Sequence, residues 1–304
     1  MAGIRIGVVI PAYNAAAWIP DCLDSLRRQT YPNWHAVVVN DGSQDDTASI
    51  VGPFLSDRLR LMQRQTNAGV SVTRNAGLTA LRGTDAVLFL DADDTLAPDA
   101  LARLSRALQA HPNAVAAGGP AAFLRDDGSI HRVLIPPAGD ILAPLVIRNR
   151  FANGGHLLIR THAITRAGGF LPSLSFGEDW EYWIRLALQG SFVTTGDPAP
   201  VLYVRRSDSG AYGRLARDPE AFRRCLDTIF TNPHITARLG HATPRLRRRA
   251  ETEARWARGR ALIGAEPHLA RPLLCAAAAA YPSPRRLLLL AAAYCPPAWR
   301  ALTA

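Results

Sequence analysis

Four short apolar runs divide the first hundred residues of the chain. They are rich in Val, Ile and Leu, have the length of a buried strand, and comprise residues 4–10, 35–40, 59–63 and 86–90. Amphipathic stretches lie between and after them. The helices that these stretches predict comprise residues 15–29, 45–54, 70–81 and 97–110, the last with Pro98 in its first turn. Because strands that alternate with helices form parallel sheets with right-handed crossovers, the pattern predicts an α/β fold.

The rest of the chain has a different pattern. Between residues 114 and 204 the signals are mixed, with one strong helix predicted over residues 180–189. Beyond residue 204 the sequence predicts helices only, and the expected breaks lie near Pro233, Pro244, Pro267 and residues 282–284. The apolar stretches at 273–281 and 287–295 are shorter than the roughly 18–20 residues that a membrane span needs, so no spanning helix is predicted.

Charge is distributed unevenly between these parts. Residues 1–203 contain 17 Arg and 18 acidic residues, a net charge of −1, whereas residues 204–304 contain 18 Arg and 7 acidic residues, a net charge of +11. This break predicts a catalytic or binding domain over residues 1–206 and a basic helical region over residues 207–304. Nucleic acid or an anionic membrane surface could attract such a region. The aromatic residues there are sparse and no RNA-binding motif occurs, so nucleic acid is not the expected partner.

Composition excludes several classes of function. The 304 residues are 48% apolar and 20% charged, as in an ordinary globular protein, and all 35 basic residues are Arg. Without Lys, the chain has no Walker-type phosphate loop, no pyridoxal Schiff base and no Lys general base. The four Cys form no CxxC pair, which predicts reduced thiols, no structural zinc and a cytosolic location. The first apolar run has five residues before Pro11 and is too short for a signal peptide.

Polar residues follow each of the four predicted strands. The segments are Pro11-Ala-Tyr-Asn, Asn40-Asp-Gly-Ser, Gln65-Thr-Asn and Asp91-Ala-Asp-Asp. In open parallel sheets, ligands bind outside the carboxyl ends of the strands, so these segments are expected to form one site. No GxGxxG sequence follows the first strand, which argues against a dinucleotide cofactor.

The acidic segment at residues 91–94 has two interpretations. Carboxylates this close repel one another unless a cation or several donors offset their charge, and Mg²⁺ or Mn²⁺ completed by phosphate oxygens would do so. Alternatively, the segment is a solvated turn that caps the helix near Pro98. For Asp41, Gly42 and Ser43 the alternatives are a contact with a base or ribose, or a glycine turn ahead of a capped helix. Tyr13 could stack on a base or pack at the rim.

Five motifs in order resemble the family-2 glycosyltransferases of the GT-A fold. They are PAYNAAAWI, VVVNDGSQDDT, NAGVSVTRNAGL, LFLDADD and GEDWEYWIRLA, and the resemblance covers about residues 4–206. It implies a GT-A fold with a Rossmann-like, mostly parallel sheet flanked by helices, here followed by a helical C-terminal extension. It also implies a nucleotide-sugar site, formed by Ala12, Tyr13, Asn14, Asp41, Arg74, Asp91, Ala92, His156, Glu178 and Arg206.

The resemblance implies a role for several of these residues on the nucleotide side. Ala12 and Tyr13 match positions that hold the nucleobase. Asp41 matches the residue that pairs with the base edge, usually that of uracil, and Arg74 matches an Arg near the base. Arg206 falls near a segment that contacts the diphosphate in some members, although Val204 stands where that segment usually has Arg.

On the reaction side, the resemblance implies a metal site and a base. Asp91 matches the residue near the ribose and can share the cation, while Asp93 matches the ligand that ties Mg²⁺ or Mn²⁺ to the diphosphate. Asp179 matches the general base of inverting members, and a Glu181–Arg185 pair one turn apart would support it. Its alternative role is that of an ordinary carboxylate at a helix N-terminus. His156 matches a loop beside the donor sugar and acceptor, or is a hydrogen-bonded structural histidine.

These features predict an inverting, metal-dependent transfer of one sugar, expected from a UDP-sugar, to a glycan, a lipid-linked glycan or a small molecule. The Q-x-x-R-W motif of processive synthases does not occur, so single-sugar transfer is favoured over polymer synthesis. Two alternatives stay open: a nucleotidyltransferase, and a sugar-nucleotide-binding protein without turnover. The basic C-terminal region adds a possible peripheral contact with the inner face of the membrane.

Overall fold

A computed structural model describes residues 3–205 and 218–295 of the chain. Their contacts divide the chain into two compact units. The first consists of residues 1–142, 150–173 and 178–206, and the second of residues 143–149, 174–177 and 207–304. The sequence pattern does not predict that the two short inner segments cluster with the second unit. The domain boundary at residues 206/207 stays a prediction.

A seven-stranded sheet and a four-stranded sheet form the framework of the first unit. The strands are β1 (Ile6–Ala12), β2 (Trp34–Asp41), β3 (Leu59–Arg64), β4 (Ala86–Phe89), β5 (Thr95–Leu96), β6 (Ala116–Gly118), β7 (Ala121–Leu124), β8 (Ile130–Leu134), β9 (Leu157–Arg160), β10 (Phe192–Thr194) and β11 (Leu202–Val204). The larger sheet has the order β10-β6-β9-β4-β1-β2-β3, and only β9 runs antiparallel to its neighbours. The smaller sheet has the order β5-β11-β7-β8. A mostly parallel sheet is therefore confirmed.

Helices cover the larger sheet. Those that begin in the first unit are α1 (Ile19–Arg27), α2 (Thr47–Val51), α3 (Val70–Ala80), α4 (Ala100–Ala110), α5 (Leu142–Ile147), α6 (Thr161–Ala167) and α7 (Glu178–Ala187). β1 is apolar on both faces because both are covered, and Val8, Val9 and Ile10 have no exposed surface. Gly77 of α3 lies against Val9, where a Cβ atom would collide with the valine side chain. The absence of a side chain at Gly77 thus lets α3 pack directly on β1.

The four strands and four helices predicted for the first hundred residues are confirmed, although the helices predicted over 15–29 and 45–54 are shorter, and the start of α4 differs. Pro98 does not lie in the first turn of α4, which begins at Ala100 with Asp99 as its N-cap. The chain first forms β5, whose residues Thr95 and Leu96 pair with β11. Strand β11 lies about a hundred residues further along the sequence, so local periodicity could not predict β5 or the later start of α4.

The described part of the second unit, beyond residue 217, is helical, as predicted. Its helices are α8 (Pro219–Thr231), α9 (Pro233–Leu239), α10 (Thr243–Leu262), α11 (Pro267–Ala280) and α12 (Pro284–Ala292). Each has Pro at its first or second position, where proline costs no intrahelical hydrogen bond. A small core of Trp256, Leu274, Ala277 and Leu289 joins α10, α11 and α12. Within the described residues, no helix is both long enough and apolar enough to cross a membrane.

Candidate active site

The end of β2 is built around the buried carboxylate of Asp41, whose side chain is 4% exposed. It accepts hydrogen bonds from the backbone N–H groups of Ala68 and Gly69, at 3.1 and 2.9 Å, and from Arg64 Nε at 2.9 Å. Gly42 follows with φ +71°, and a Cβ atom there would lie 2.8 Å from the carbonyl carbon of Thr66. Asp41 therefore positions the loop before α3. Its predicted contact with a nucleobase stays a prediction.

The end of β1 is tied to the end of β2 through Asn14. This residue has the left-handed φ of 48°, its N–H donates to Ser43 Oγ at 2.9 Å, and its Oδ1 accepts from Gln44 N at 2.9 Å. Ala12 is buried, whereas Tyr13 is about half exposed, at 48%. The loop thus holds Tyr13 with an accessible ring at the rim of the sheet, which is what stacking on a base requires.

After β4, the carboxylates of residues 91–94 have three different environments. Asp91 Oδ1 accepts from Arg74 Nη2 at 3.0 Å. Asp94 is 2% exposed and accepts from Asn153 Nδ2 at 2.5 Å and from the Arg205 backbone N–H at 3.1 Å. Asp93 makes no hydrogen bond or ion pair with any residue that the structure describes. Asp94 therefore holds the loop in place, and Asp93 is the carboxylate left for a ligand.

The electrostatics of this loop fit a bound cation. Burial, and then the charge of Asp91, raise the pKa of Asp93. Burial, Asp91 and Asp93 raise the pKa of Asp94 well above its ordinary value. A cation beside Asp93 would offset this repulsion. Among the described residues, no group of three or more His, Cys, Asp or Glu side chains could hold a metal ion by itself, so a cation here would need further oxygens, such as those of a diphosphate.

Arg74 connects this loop to α7. Its side chain is 7% exposed, and Nη1 donates to Glu178 Oε1 at 3.1 Å while Nη2 binds Asp91. The guanidinium also lies over the Phe170 ring, 5.2 Å from the centroid. Arg74 thus holds the tip of β4 and the first residue of α7 together, and brings Asp179 to the same rim.

The environment of Asp179 suits proton transfer near neutral pH. Burial, and then the charge of Glu178, raise the pKa of Asp179 to about 7. Its Oδ1 accepts the N–H of Trp180 at 2.5 Å, so the carboxylate occupies the helix N-terminus. Both predicted roles of Asp179 are compatible with this geometry, because the general base would be held by the same N-terminal contact.

A buried ion pair stabilises α7 just after Asp179 in the sequence. Glu181 is 1% exposed and binds Arg185 Nε at 2.7 Å, which confirms the predicted pair one turn apart. Arg185 also donates to the carbonyl oxygens of Ala167 and Gly169. Because its carboxylate is committed to Arg185, Glu181 is unsuited to act as a base in place of Asp179.

His156 has no exposed surface. Its Nδ1 lies 2.8 Å from the carbonyl oxygen of Gly119, and its Nε2 accepts from Ala152 N at 3.2 Å. A neutral ring that donates from Nδ1 satisfies both contacts. The geometry supports the structural alternative for His156, since neither ring nitrogen faces the rim.

This environment predicts a pH-dependent contribution to stability. Burial lowers the pKa of His156 to about 4, below the ordinary value of 6.5 in the unfolded chain. As the pH falls, His156 therefore binds a proton in the unfolded state before it does so in the folded state. The free energy of unfolding should decrease by about 3 kcal/mol between pH 6.5 and pH 4. Urea unfolding at several pH values should show that the free energy of unfolding decreases less at low pH in His156→Gln than in the wild type. The exposed control His35→Gln should keep the pH dependence of the wild type. The same pH dependence in all three proteins would contradict the prediction.

Two residues of the site have no sequence signal of their own. Asn153 binds Asp94, and Arg205 binds it through its backbone while its guanidinium pairs with Asp21 at 2.5 Å and lies over the Trp18 ring. Both act through contacts between segments distant in sequence, which a local motif does not reveal. Arg206, predicted to be near the diphosphate, lies outside the described residues.

The fold and the site together indicate the class of protein to which the chain belongs. A mostly parallel sheet with acidic and aromatic side chains gathered at the carboxyl ends of its strands is typical of α/β proteins that bind nucleotides at this rim. Residues 7–168 match the family described as "Glycosyl transferase family 2", which is more than half of the chain. The chain belongs to this family of glycosyltransferase enzymes, and the resemblance is confirmed.

Curated relatives share the N-terminal part of the chain. The glycosyltransferase GlyA of Streptococcus pneumoniae is 36% identical over 128 residues, which are 42% of this chain and 18% of that protein. A PGL/p-HBAD biosynthesis glycosyltransferase of Mycobacterium bovis is 41% identical over 115 residues, 36% of this chain and 44% of that protein. An uncharacterized glycosyltransferase of Haemophilus influenzae is 25% identical over 200 residues, 65% of this chain and 67% of that protein. The match thus covers less than half of the length of GlyA and of the Mycobacterium bovis relative.

Solved structures extend the likeness to nearly the whole chain. The mannosyltransferase PcManGT of Pyrobaculum calidifontis, in complex with GDP-Man and Mn²⁺, has a TM-score of 0.61 and 25% identity, and covers 100% of this chain and 84% of its own. Residues 1–349 of TarS from S. aureus, in complex with UDP-GlcNAc, have a TM-score of 0.58 and 17% identity over 98% of this chain and 90% of their own. The likeness confirms the GT-A fold.

Proposed function

We propose that this chain transfers a single sugar, with inversion, from a UDP-sugar to a hydroxyl group of a glycan, a lipid-linked glycan or a small molecule, with a divalent cation. The observation that carries the proposal is the Arg74 bridge, with 3.0 Å to Asp91 and 3.1 Å to Glu178. It joins the strand end suited to a diphosphate to the helix end that carries Asp179. Single displacement with inversion needs a leaving-group site and a base in one cleft.

On the leaving-group side, Asp93 and Asp91 would hold the cation. Their side chains fit this task, because Asp93 makes no hydrogen bond or ion pair with a described residue, and burial and Asp91 raise the pKa of Asp93. Mg²⁺ or Mn²⁺ bound there supplies positive charge to the departing diphosphate. Arg74 limits the negative charge of the loop by neutralising Asp91. Asp94 fixes the conformation of the loop through its hydrogen bonds with Asn153 and the Arg205 backbone.

On the acceptor side, Asp179 takes the proton. The acceptor oxygen forms a bond to the anomeric carbon, its proton passes to the Asp179 carboxylate, and the bond from the anomeric carbon to the diphosphate oxygen breaks with its electron pair on that oxygen. A carboxyl with a pKa of about 7 is a stronger base than an ordinary aspartate and is still about half ionised at pH 7.

The residues at the ends of β1 and β2 are the basis for proposing a uridine nucleotide. Tyr13 presents an accessible ring, and Asp41 at the end of β2 matches the position that pairs with uracil in the family. Similar structures hold UDP-GlcNAc in TarS and GDP-Man in PcManGT, so the fold itself accommodates more than one nucleotide.

A donor screen tests this proposal. The chain should release the nucleoside diphosphate from a UDP-sugar, when Mg²⁺ or Mn²⁺ is present, faster than from GDP- and dTDP-sugars, since Asp41 and Tyr13 would select the base. Nucleoside diphosphate release is measured for each donor with each metal. Preference for GDP- or dTDP-sugars would overturn the uracil assignment alone. Tight binding of donors without any turnover would support a binding protein instead of an enzyme.

A further inference from the structure

The outer face of α12 is an apolar surface on the second unit. We define this face as Leu287, Leu288, Ala291, Tyr294 and Cys295, which are spaced so that they share one side of the helix and of the turn that follows it. Leu287 is 53% exposed, Leu288 55% and Tyr294 58%. Two adjacent leucines exposed on one short helix and a tyrosine exposed in the turn after it form an apolar patch, and such patches mark interaction sites.

The inner face of the same helix explains why the outer face is not needed for folding. Leu289, Ala292 and Ala293 are at most 5% exposed and belong to the core with α10 and α11. Arg286 donates to Glu253 at 2.7 Å and lies over the Trp256 ring. The helix is therefore held by its other side, and the leucines of the outer face contribute little to that packing.

Positive charge lies next to this face. Arg285 is exposed in the first turn of α12, and residues 267–295 contain three Arg and no acidic residue. Arg271 lies over the Tyr294 ring, 4.6 Å from its centroid, and Arg249 lies over the Tyr281 ring. These cations flank exposed leucines and tyrosines, as in helices that lie in the interface of an anionic bilayer.

We propose that the outer face of α12 docks on the surface of an anionic phospholipid bilayer, with Leu287 and Leu288 inserted among the acyl chains. The charge selects this occupant. A second copy of the same face would bring Arg285 and Arg271 close to the same two cations of its partner, whereas anionic lipid headgroups neutralise them. The proposal is independent of the identity of the sugar donor.

Vesicle flotation of the full chain tests the proposal. The chain should float with vesicles of phosphatidylcholine mixed with phosphatidylglycerol, should not float with phosphatidylcholine alone, and should dissociate at high salt. The double variant Leu287→Ser/Leu288→Ser should bind at least about tenfold more weakly, because the inserted apolar surface is lost. Arg285→Ser should bind about fivefold more weakly, the loss expected for one cation near an anionic surface.

Matched controls separate docking from general effects of apolar and basic residues. Ile135 is 69% exposed in the first unit, so Ile135→Ser should bind vesicles like the wild type, and so should Arg82→Ser. Thermal unfolding and turnover of a soluble acceptor should be unchanged in the double variant. Equal flotation with neutral vesicles, or no flotation of the wild type, would overturn the proposal. A dimer in solution that the double variant abolishes would assign the face to self-association and would also overturn it.

Discussion

Replacing Asp93 by alanine is expected to abolish sugar transfer, with a loss of about 10³-fold or more. Asp93 is the carboxylate of the β4 loop that has no hydrogen bond or ion pair with any described residue, whereas Asp91 is paired with Arg74 and Asp94 is held by Asn153. In the proposed mechanism, the cation would lose its main protein ligand without Asp93 and the diphosphate would leave with uncompensated charge, a loss of several kcal/mol in the transition state. Steady-state transfer and nucleotide titration measure the effect.

The same variant also distinguishes a metal role from damage to the loop. Nucleotide affinity should fall in Asp93→Ala only when Mg²⁺ or Mn²⁺ is present, and affinity in excess chelator should equal that of the wild type. Asp127→Ala, which removes a carboxylate from the exposed turn at residues 126–128, should leave transfer unchanged. Full wild-type activity in excess chelator would contradict a metal role, because the chain has no Lys that could replace the cation.

Asp179→Asn is expected to lower the rate of transfer by roughly 10²- to 10⁴-fold while donor affinity barely changes. Asparagine keeps the size of the side chain and can still accept the N–H of Trp180, but it cannot take a proton. In the wild type, kcat/KM should rise with pH through about 7, since the base acts only when ionised. This limb of the profile should be absent in the variant.

A neighbouring substitution provides the control for that assignment. Glu178 raises the pKa of Asp179, so Glu178→Gln should move the midpoint of the pH profile downward and should retain far more activity than Asp179→Asn. A rate near that of the wild type in Asp179→Asn would move the base elsewhere, and Glu178 would then be the next candidate, because Glu181 is buried against Arg185.

Much of the framework could be predicted from the sequence because its determinants are local. The strands β1, β2 and β4 are largely apolar runs, as buried parallel strands must be, whereas the edge strand β3 buries only Leu59. The helices between the strands have one apolar face. The polar residues after each run therefore fall at the same edge of the sheet, which the contacts between Asp41 and the 68–69 backbone and between Arg74 and Asp91 confirm. The Glu181–Arg185 pair is equally local, since it follows from helical spacing.

The sequence by itself thus determined the alternation of strands and helices and the edge at which the polar residues gather. The tertiary structure alone decided what each of those residues does there. Arg74 meets Glu178 across 104 positions, and Asp94 meets Asn153 across 59, so no periodicity could indicate these partners. Which carboxylate of residues 91–94 is left for a ligand, and why the pKa of Asp179 lies near 7, depend on burial and on charges brought together by the fold. These are properties of three-dimensional surroundings, and electrostatic energies follow distance in space, not distance along the chain.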